Sequence, residues 1–418
     1  MRCLASLLAA SLISAALAAQ VSPPMPDPAP KPDPLQETIN RLGQLAAAEP
    51  QNGAILYALA AFHDRAGQPE KAIERLRELM RIGWDYALYH GDFPNSRERP
   101  EYREIAARLE AAMLKVQKAK PEFTVRERDL LPEGAAYDPE TGSLFLSSIH
   151  KRKVVRIDRH GITRNFTGEA QDGLLGGLGM RVDAKRRMLW VVSVAQRSMK
   201  GFTPAGDGRS AVHAFHLGSG SLATCYTLGG PEDPSFLNDV AVLDDGRAFI
   251  TDTQRGAVYV AEPGRTELVS FLPPGSLIAP NGIDVSRDQK RLYVAGFRGI
   301  FVVDLATKAL APLSVPQGMG NFSGIDGLYF HEGSLVGIQN AVGQPRIWRI
   351  YLSPSQDAAV RAEVLESGTP GFDLPTTGAV AGDSLLFVAN TQIRMLDKNE
   401  KPLPPERFQD LKVLRLPL

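Results

Sequence analysis

The chain has 418 residues with 47 basic and 47 acidic side chains, a balance that gives no long-range pull toward nucleic acid or anionic lipid. Its two cysteines are Cys3 and Cys225; Cys3 falls in the leader described below, so no intrachain disulfide is expected and stability must come from packing. Beyond that leader every apolar run is broken within a few residues by charge, glycine or proline, which argues against a membrane span.

Arg2, the apolar run Leu4 to Leu17 and the small-residue pattern Ala16-Leu17-Ala18 read as a secretory signal over residues 1–19, cleaved near Ala18 or Ala19. The mature protein is therefore expected in the periplasm or secreted. Cys3 precedes the apolar segment, which argues against a lipid-modified cysteine at the cleavage site. Residues 20–36, dense in proline and aspartate, read as an extended linker. From 37 to 118 the composition is helical, with apolar residues at helical spacing in Ile55, Leu59 and Phe62 and again in Ala72, Leu76 and Leu79. The stretch from Pro50 through Tyr57, Ala58, Gly67 and Ala72 resembles one tetratricopeptide repeat, with Gly67 turning the chain between two helices. A second helix pair is expected from Trp84 to Leu109. One repeat is too few for a peptide-binding array, so this segment is expected to pack on the larger domain or to dock a protein partner.

From 123 to 418 the period changes to that of strands, and six successive units begin near Glu133, Gly177, Asn238, Asn281, Asp326 and Thr377. The spacing predicts strand pairs such as Leu144 to Ile149 with Val154 to Asp158, Met188 to Ser193 with Ala211 to Leu217, and Leu385 to Ala389 with Ile393 to Asp397. Turns are expected at Asp138-Pro139-Glu140-Thr141-Gly142, Asp244-Asp245-Gly246 and Ser286-Arg287-Asp288. One motif recurring at similar intervals fits an all-β six-bladed propeller behind a small all-α domain, better than a two-sheet sandwich.

Four of the unit starts are polar: Pro132-Glu133-Gly134, Asn238-Asp239, Pro280-Asn281-Gly282 and Asp326-Gly327. If the units close around an axis, these oxygens converge into a seat for a hard divalent cation. Singly, each residue would be read as a strand cap or turn former; four in register point to a site. In order and position they resemble the gluconolactonase, regucalcin and senescence-marker-protein family. That resemblance implies a six-bladed propeller with one hub-bound divalent metal and hydrolysis of lactones or related esters. It implies Glu133, Asn281 and Asp326 as metal ligands, Asp326 also as general base, and Asn238 touching metal or substrate. Calcium is favoured by oxygen-only ligands, with magnesium, manganese and zinc also compatible. The chain departs from the family where Phe236 stands in place of an arginine, so the substrate-binding wall is expected to be less polar and the substrate a more apolar lactone or ester.

Other candidates read as structural. Asp239, Asp252 and Asp284 are assigned to packing, with Asp252 expected to tie one blade to the next. His213 and His216, three apart on a strand, face opposite ways and cannot share an ion, and His150 and His331 read as solvated blade-edge residues. The glycine-rich Gly173 to Gly179 reads as the entry to the second blade, with Gly177 or Gly179 in place of a polar rim residue. The rival functional reading is a binding or assembly module without chemistry, docked through the helical segment.

Overall fold

The computed structural model describes residues 33–418; the expected signal over 1–19 and most of the 20–36 linker lie outside the described residues. Six antiparallel sheets follow one another along the chain. Blade one is Ala135–Asp138, Ser143–Ser148, Lys153–Ile157 and Thr163–Asn165, and blade two Gly176–Asp183, Met188–Val194, Arg209–His216 and Leu222–Gly229. Blade three is Leu237–Val242, Ala248–Asp252, Ala257–Ala261 and Val269–Leu272, and blade four Ile283–Val285, Arg291–Gly296, Gly299–Asp304 and Leu310–Pro312. Blade five, Ile325–His331, Ser334–Gln339, Arg346–Leu352 and Ala359–Ser367, carries the short Val116–Gln117 on its outer edge.

Blade six joins the two ends of the propeller: Gly378–Val380, Ser384–Val388 and Leu411–Pro417 come from the C-terminal side, and Lys120–Val125 completes the sheet. This ties off the ring, with the strand from the N-terminal side as the outer, fourth strand of blade six. It also corrects the expected pairing of Leu385 to Ala389 with Ile393 to Asp397. The partner is Leu411–Pro417, and 389–410 is a long loop. Pro402, Pro404 and Pro405 cannot donate to a ladder, Gln392 has φ +59°, and the apolar residues that mimicked a strand, Ile393 and Met395, pack with Leu403 into a cluster over blades one and two.

The expected hairpin turns are built as their residues dictate. Asp138 accepts the Glu140 N–H at 3.2 Å and the Thr141 hydroxyl at 2.7 Å, while Gly142 takes φ +69°. Blades are tied side to side near the axis. Arg187 reaches from blade two to grip both oxygens of Asp138 at 2.6 and 2.8 Å. Asp239 accepts the Ile283 N–H at 3.4 Å, Asp284 the Phe330 N–H at 2.8 Å, and the Tyr329 hydroxyl the Gly378 N–H at 2.6 Å. The inter-blade role expected of Asp252 thus falls to Asp239 and Asp284. Asp252 instead holds its own blade, accepting from the Ser235 hydroxyl at 2.7 Å and the Phe236 N–H at 3.1 Å.

Among the described residues four α-helices precede the propeller: α1 Pro34–Ala48, α2 Gly53–Arg65, α3 Pro69–Arg81 and α4 Pro100–Ala112. Helix α1 starts inside the stretch read as linker, with Asp33 capping the Leu35 N–H at 3.0 Å. Gly67 turns α2 into α3 at φ +70°. The expected second helix pair over Trp84 to Leu109 is a single helix, α4, behind an extended segment. Trp84, Tyr86, Leu88 and Phe93 in that segment enter a core shared with Phe297, Leu328 and Trp348 of blades four and five, and a helix could not present them all to one side. Helix α2 is buried from Gly53 to Asp64. The segment therefore spends its apolar surface on the propeller, which favours packing over a docking platform.

Arg346 of blade five locks this junction. It is 3% exposed, its guanidinium carbon lies 3.0 Å from the centre of the Tyr86 ring and 4.5 Å from that of Trp348, and it bonds Gln339 at 3.2 Å. Burial pulls the guanidinium down to about 9, against the charge of Asp85. Asp85 is itself mostly exposed, so stacking and burial outweigh the ion pair. Replacing Arg346 by Ala is expected to cost about 3 kcal/mol and to speed proteolysis between 112 and 120, with Arg346→Met much milder. Equal melting temperatures for the wild type and Arg346→Ala would contradict this.

Candidate metal centre and substrate pocket

Each innermost strand is entered through a tight approach to its neighbour, and that approach decides which residues can stand at the hub. A Cβ on Gly134 would lie 2.0 Å from the Leu178 carbonyl oxygen, and one on Gly282 would lie 2.2 Å from the Asp326 carbonyl oxygen. No side chain fits there, so the residue just before each glycine is the one that turns into the pocket. Glu133, Asn281 and Asp326 hold that place on blades one, four and five. On blade three Asn238 holds it, followed by Asp239. On blade two it is Leu178, not the expected Gly177 or Gly179.

The pocket counts about 900 Å³ to its open mouth, and Glu133, Phe236, Asn238, Asn281 and Asp326 all line it. The five residues singled out from sequence therefore meet in one place. Around them Ile149, Leu178, Phe297, Ile325 and Leu374 make a largely apolar wall. Phe236 packs beside the cluster of Leu131, Ile149, Leu178 and Ile393 and adds to that apolar character.

Glu133 is buried at 8% exposure, and its Oε2 has no hydrogen-bond partner. Its backbone carbonyl is held by the Thr376 and Thr377 hydroxyls at 2.8 and 2.5 Å. Asn281 spends its amide hydrogens on Asp326, and its Oδ1 is likewise buried and unpartnered. Asp326 accepts from Asn340 Nδ2 at 2.6 Å, and the same amide donates to the Pro375 carbonyl at 2.9 Å. Thr253 donates to the Pro280 carbonyl at 2.6 Å, so it must accept from Asn238 Nδ2 at 3.0 Å. That fixes the Asn238 amide and leaves its oxygen as the end available to a ligand.

Asn340 and Thr253 were not picked out from sequence. Both directly follow the second strand of a blade, and that recurrent polar position was the available signal.

Charge matches this geometry. Burial pushes the Glu133 carboxyl well above its usual range, and the charges of Asp326 and Asp239 push it further. Burial also raises Asp326 to about 7, with Asp239 adding to the rise and hydrogen bonds from Asn340 and Asn281 opposing it. Asp239 is raised to about 6 by burial, opposed by the charge of Arg181. Two carboxyl groups and two amide oxygens form an all-oxygen set whose charge is −2 when both carboxyls are ionised, and two of its acceptor atoms are buried without a donor. Such a set fits a hard divalent cation. Elsewhere, His331, Glu332 and Asp383 also bring ligand atoms within 4.8 Å of one another, on the turns of blades five and six where Glu332 and Asp383 are exposed. Among the described residues no helix is long and apolar enough to cross a membrane.

Comparison with known proteins adds the following. Residues 131–330 match the family model described as SMP-30/Gluconolactonase/LRE-like region, and residues 35–91 match that of the tetratricopeptide repeat. Comparison with curated proteins finds no match. Among solved structures the chain is similar to a PQQ-bound aldose sugar dehydrogenase of Streptomyces coelicolor, at 19% identity and TM-score 0.48, covering 72% of this chain and 97% of that one. It is similar to a gluconolactonase of Xanthomonas campestris at 17% identity and TM-score 0.46, covering 72% and 91%. It is also similar to a calcium-binding regucalcin of Agrobacterium tumefaciens at 16% identity and TM-score 0.48, covering 73% and 95%.

Raised carboxyls give stability that is fully present below their unfolded values near 4 and lost as pH rises through their folded values. For Asp326 that window runs from about 4 to about 7. Without a cation, the melting temperature should therefore carry a penalty that grows from pH 5 to pH 8. Saturating calcium should restore more stability at pH 8 than at pH 5, and Asp326→Asn should flatten the difference. A calcium effect of equal size at both pH values, measured by scanning calorimetry, would contradict this.

Proposed function

We propose, with the match of residues 131–330 to the SMP-30/gluconolactonase/LRE-like family model in support, that this propeller hydrolyses a lactone or ester using a divalent cation seated at its hub. The observation that carries this reading is the pair of buried acceptors without donors, Glu133 Oε2 and Asn281 Oδ1, on residues that line one pocket with Asn238 and Asp326. Glu133, Asn281 and Asp326 would hold the cation, calcium being favoured by the oxygen-only donors. When bound, it would supply Lewis-acid polarisation of the substrate carbonyl and offset the charge that develops on its oxygen.

The rest falls to the chain. Asn340 and Asn281 fix the Asp326 carboxylate by hydrogen bonds, so a water beside it meets a base of set orientation. Asp326 takes the proton as that water adds to the carbonyl carbon. The C–O bond to the ring or alcohol oxygen then breaks, and that oxygen receives a proton, giving the hydroxy acid or the acid and alcohol. No covalent enzyme intermediate is needed. Asn238 offers its amide oxygen to a substrate hydroxyl or to the cation. Phe236, Ile149, Leu178 and Leu374 exclude water and suit a lactone ring or acyl chain more apolar than a sugar.

Calcium titration of the mature chain by calorimetry should show one saturable site that Glu133→Ala abolishes. Asp326→Asn should retain the fold and some calcium affinity while losing at least ~100-fold in turnover of lactones or esters. Full turnover in Asp326→Asn would remove its role as base. Absence of both cation binding and turnover would leave the propeller a binding module. We further propose export, on the strength of the Arg2 and Leu4 to Leu17 pattern. The N-terminus of the mature protein should then fall at Ala19 or Gln20, and an intact Met1 in the processed protein would contradict it.

A further inference from the structure

Two structures added to the propeller meet beside the pocket, and one of them, the 389–410 loop, lines it with Ile393 and Arg394. The 389–410 loop lies over blades one and two, its Ile393 in their apolar cluster and its Glu400 paired with Arg197 at 3.7 Å. The helical segment lies over blades four and five. They meet where the Arg394 guanidinium carbon sits 4.0 Å from the centre of the Tyr89 ring.

Arg394 lines the pocket and is its one cationic side chain. It has no carboxylate within 4 Å among the described residues, and its Nε is buried without a hydrogen-bond partner. Asp373 is the acid whose titration feels its charge, and burial pushes that carboxyl up, which weakens it as a counter-ion. A second donor lining the pocket, Gln196 Nε2, is also buried and unpartnered. Four unpartnered buried atoms thus line one pocket: acceptors on Glu133 and Asn281, donors on Arg394 and Gln196. The acceptors serve a cation; the donors call for an acceptor on the ligand.

We propose that Arg394, positioned by Tyr89, is an anion subsite, and that the substrate carries a carboxylate remote from the bond being hydrolysed. This rests on the hydrolase reading of the same pocket. A single guanidinium with its planar fork suits one carboxylate, whereas a phosphate dianion would call for further cations that the pocket lacks. Polarity also orients the ligand. With the charge of Glu133 and Asp326 offset by the cation, Arg394 is the lining side chain whose charge is left without a carboxylate within 4 Å among the described residues, so an anionic lactone enters with its carboxylate toward Arg394 and its carbonyl toward Glu133 and Asp326. The aromatic face of Tyr89 keeps the guanidinium extended without neutralising it.

The test uses the mature chain with saturating calcium and two ligands that are not hydrolysed, cyclopentanecarboxylate and cyclopentanecarboxamide, titrated by calorimetry. The carboxylate is expected to bind at least tenfold tighter, Arg394→Gln to erase that preference, Arg394→Lys to keep part of it, and Tyr89→Leu to weaken it severalfold. Equal affinities, no binding of either, or a preference that survives in Arg394→Gln because the carboxylate sits on the cation would each overturn the proposal. The companion assay compares hydrolysis of 3-(5-oxotetrahydrofuran-2-yl)propanoate with that of the corresponding propanamide. A preference that depends on Arg394, with no hydrolysis of either lactone, would uphold the anion subsite and refute the hydrolase reading instead.

Discussion

The close approach of the innermost strands around the axis is the constraint on which the rest depends. With the backbone of each neighbour 2.0 to 2.2 Å from where a Cβ would stand on Gly134 or Gly282, the entry to each of these innermost strands has a first place that faces the pocket, Glu133 or Asn281, and a second place that admits no side chain there. On blade three Asp239 takes the second place, and its carboxylate accepts the neighbouring Ile283 N–H. Packing and chemistry are thus alternate residues of one strand. The period of two that buries the blades also aims the candidate ligands.

Crowding has an electrostatic cost, since it places Glu133, Asp239 and Asp326 within reach of one another's fields. Arg181 answers part of it from below, with bonds to the Val240 and Ile283 carbonyls at 3.3 and 3.1 Å and an approach to Asp284 at 3.7 Å. The remaining charge faces the pocket. A cation there would stabilise the folded state by its binding free energy, and its affinity and the stability of the fold would then be linked at this hub.

Much of this arrangement was legible because a propeller writes its hub once per blade. Glu133, Asn238, Asn281 and Asp326 stood out as repeats of one position, and the structure gathers them together with Phe236 in one pocket. What was hidden does not repeat. The closing strand Lys120–Val125 pairs with Leu411–Pro417 from the far end of the chain, a register no local pattern encodes. Asn340 sat in plain view after a strand, but its value lies in reaching Asp326 across the blade top. In the 389–410 loop, apolar residues at strand-like spacing serve a lid cluster, so alternation alone misled. Likewise Trp84, Tyr86 and Phe93 had the composition of a helix face and are used to join two domains.

That join bears on the pocket through adjacent residues. Gln339 holds the helical segment to blade five: its Oε1 lies 2.5 Å from the Tyr86 hydroxyl and 2.8 Å from Trp348 Nε1, while its Nε2 donates to the Asn321 and Ser323 carbonyls. Asn340, the next residue, holds Asp326. Tyr89, three residues beyond Tyr86, holds Arg394 at the mouth. A shift of the helical segment would therefore disturb both ends of the cavity at once, through Gln339 at the floor and through Tyr89 at the lip. In this chain the helical segment contributes no side chain to the pocket lining but packs on two residues beside it, Arg394 through Tyr89 and Gln339 through Tyr86, which gives a single tetratricopeptide-like repeat a use that needs no array and no peptide groove.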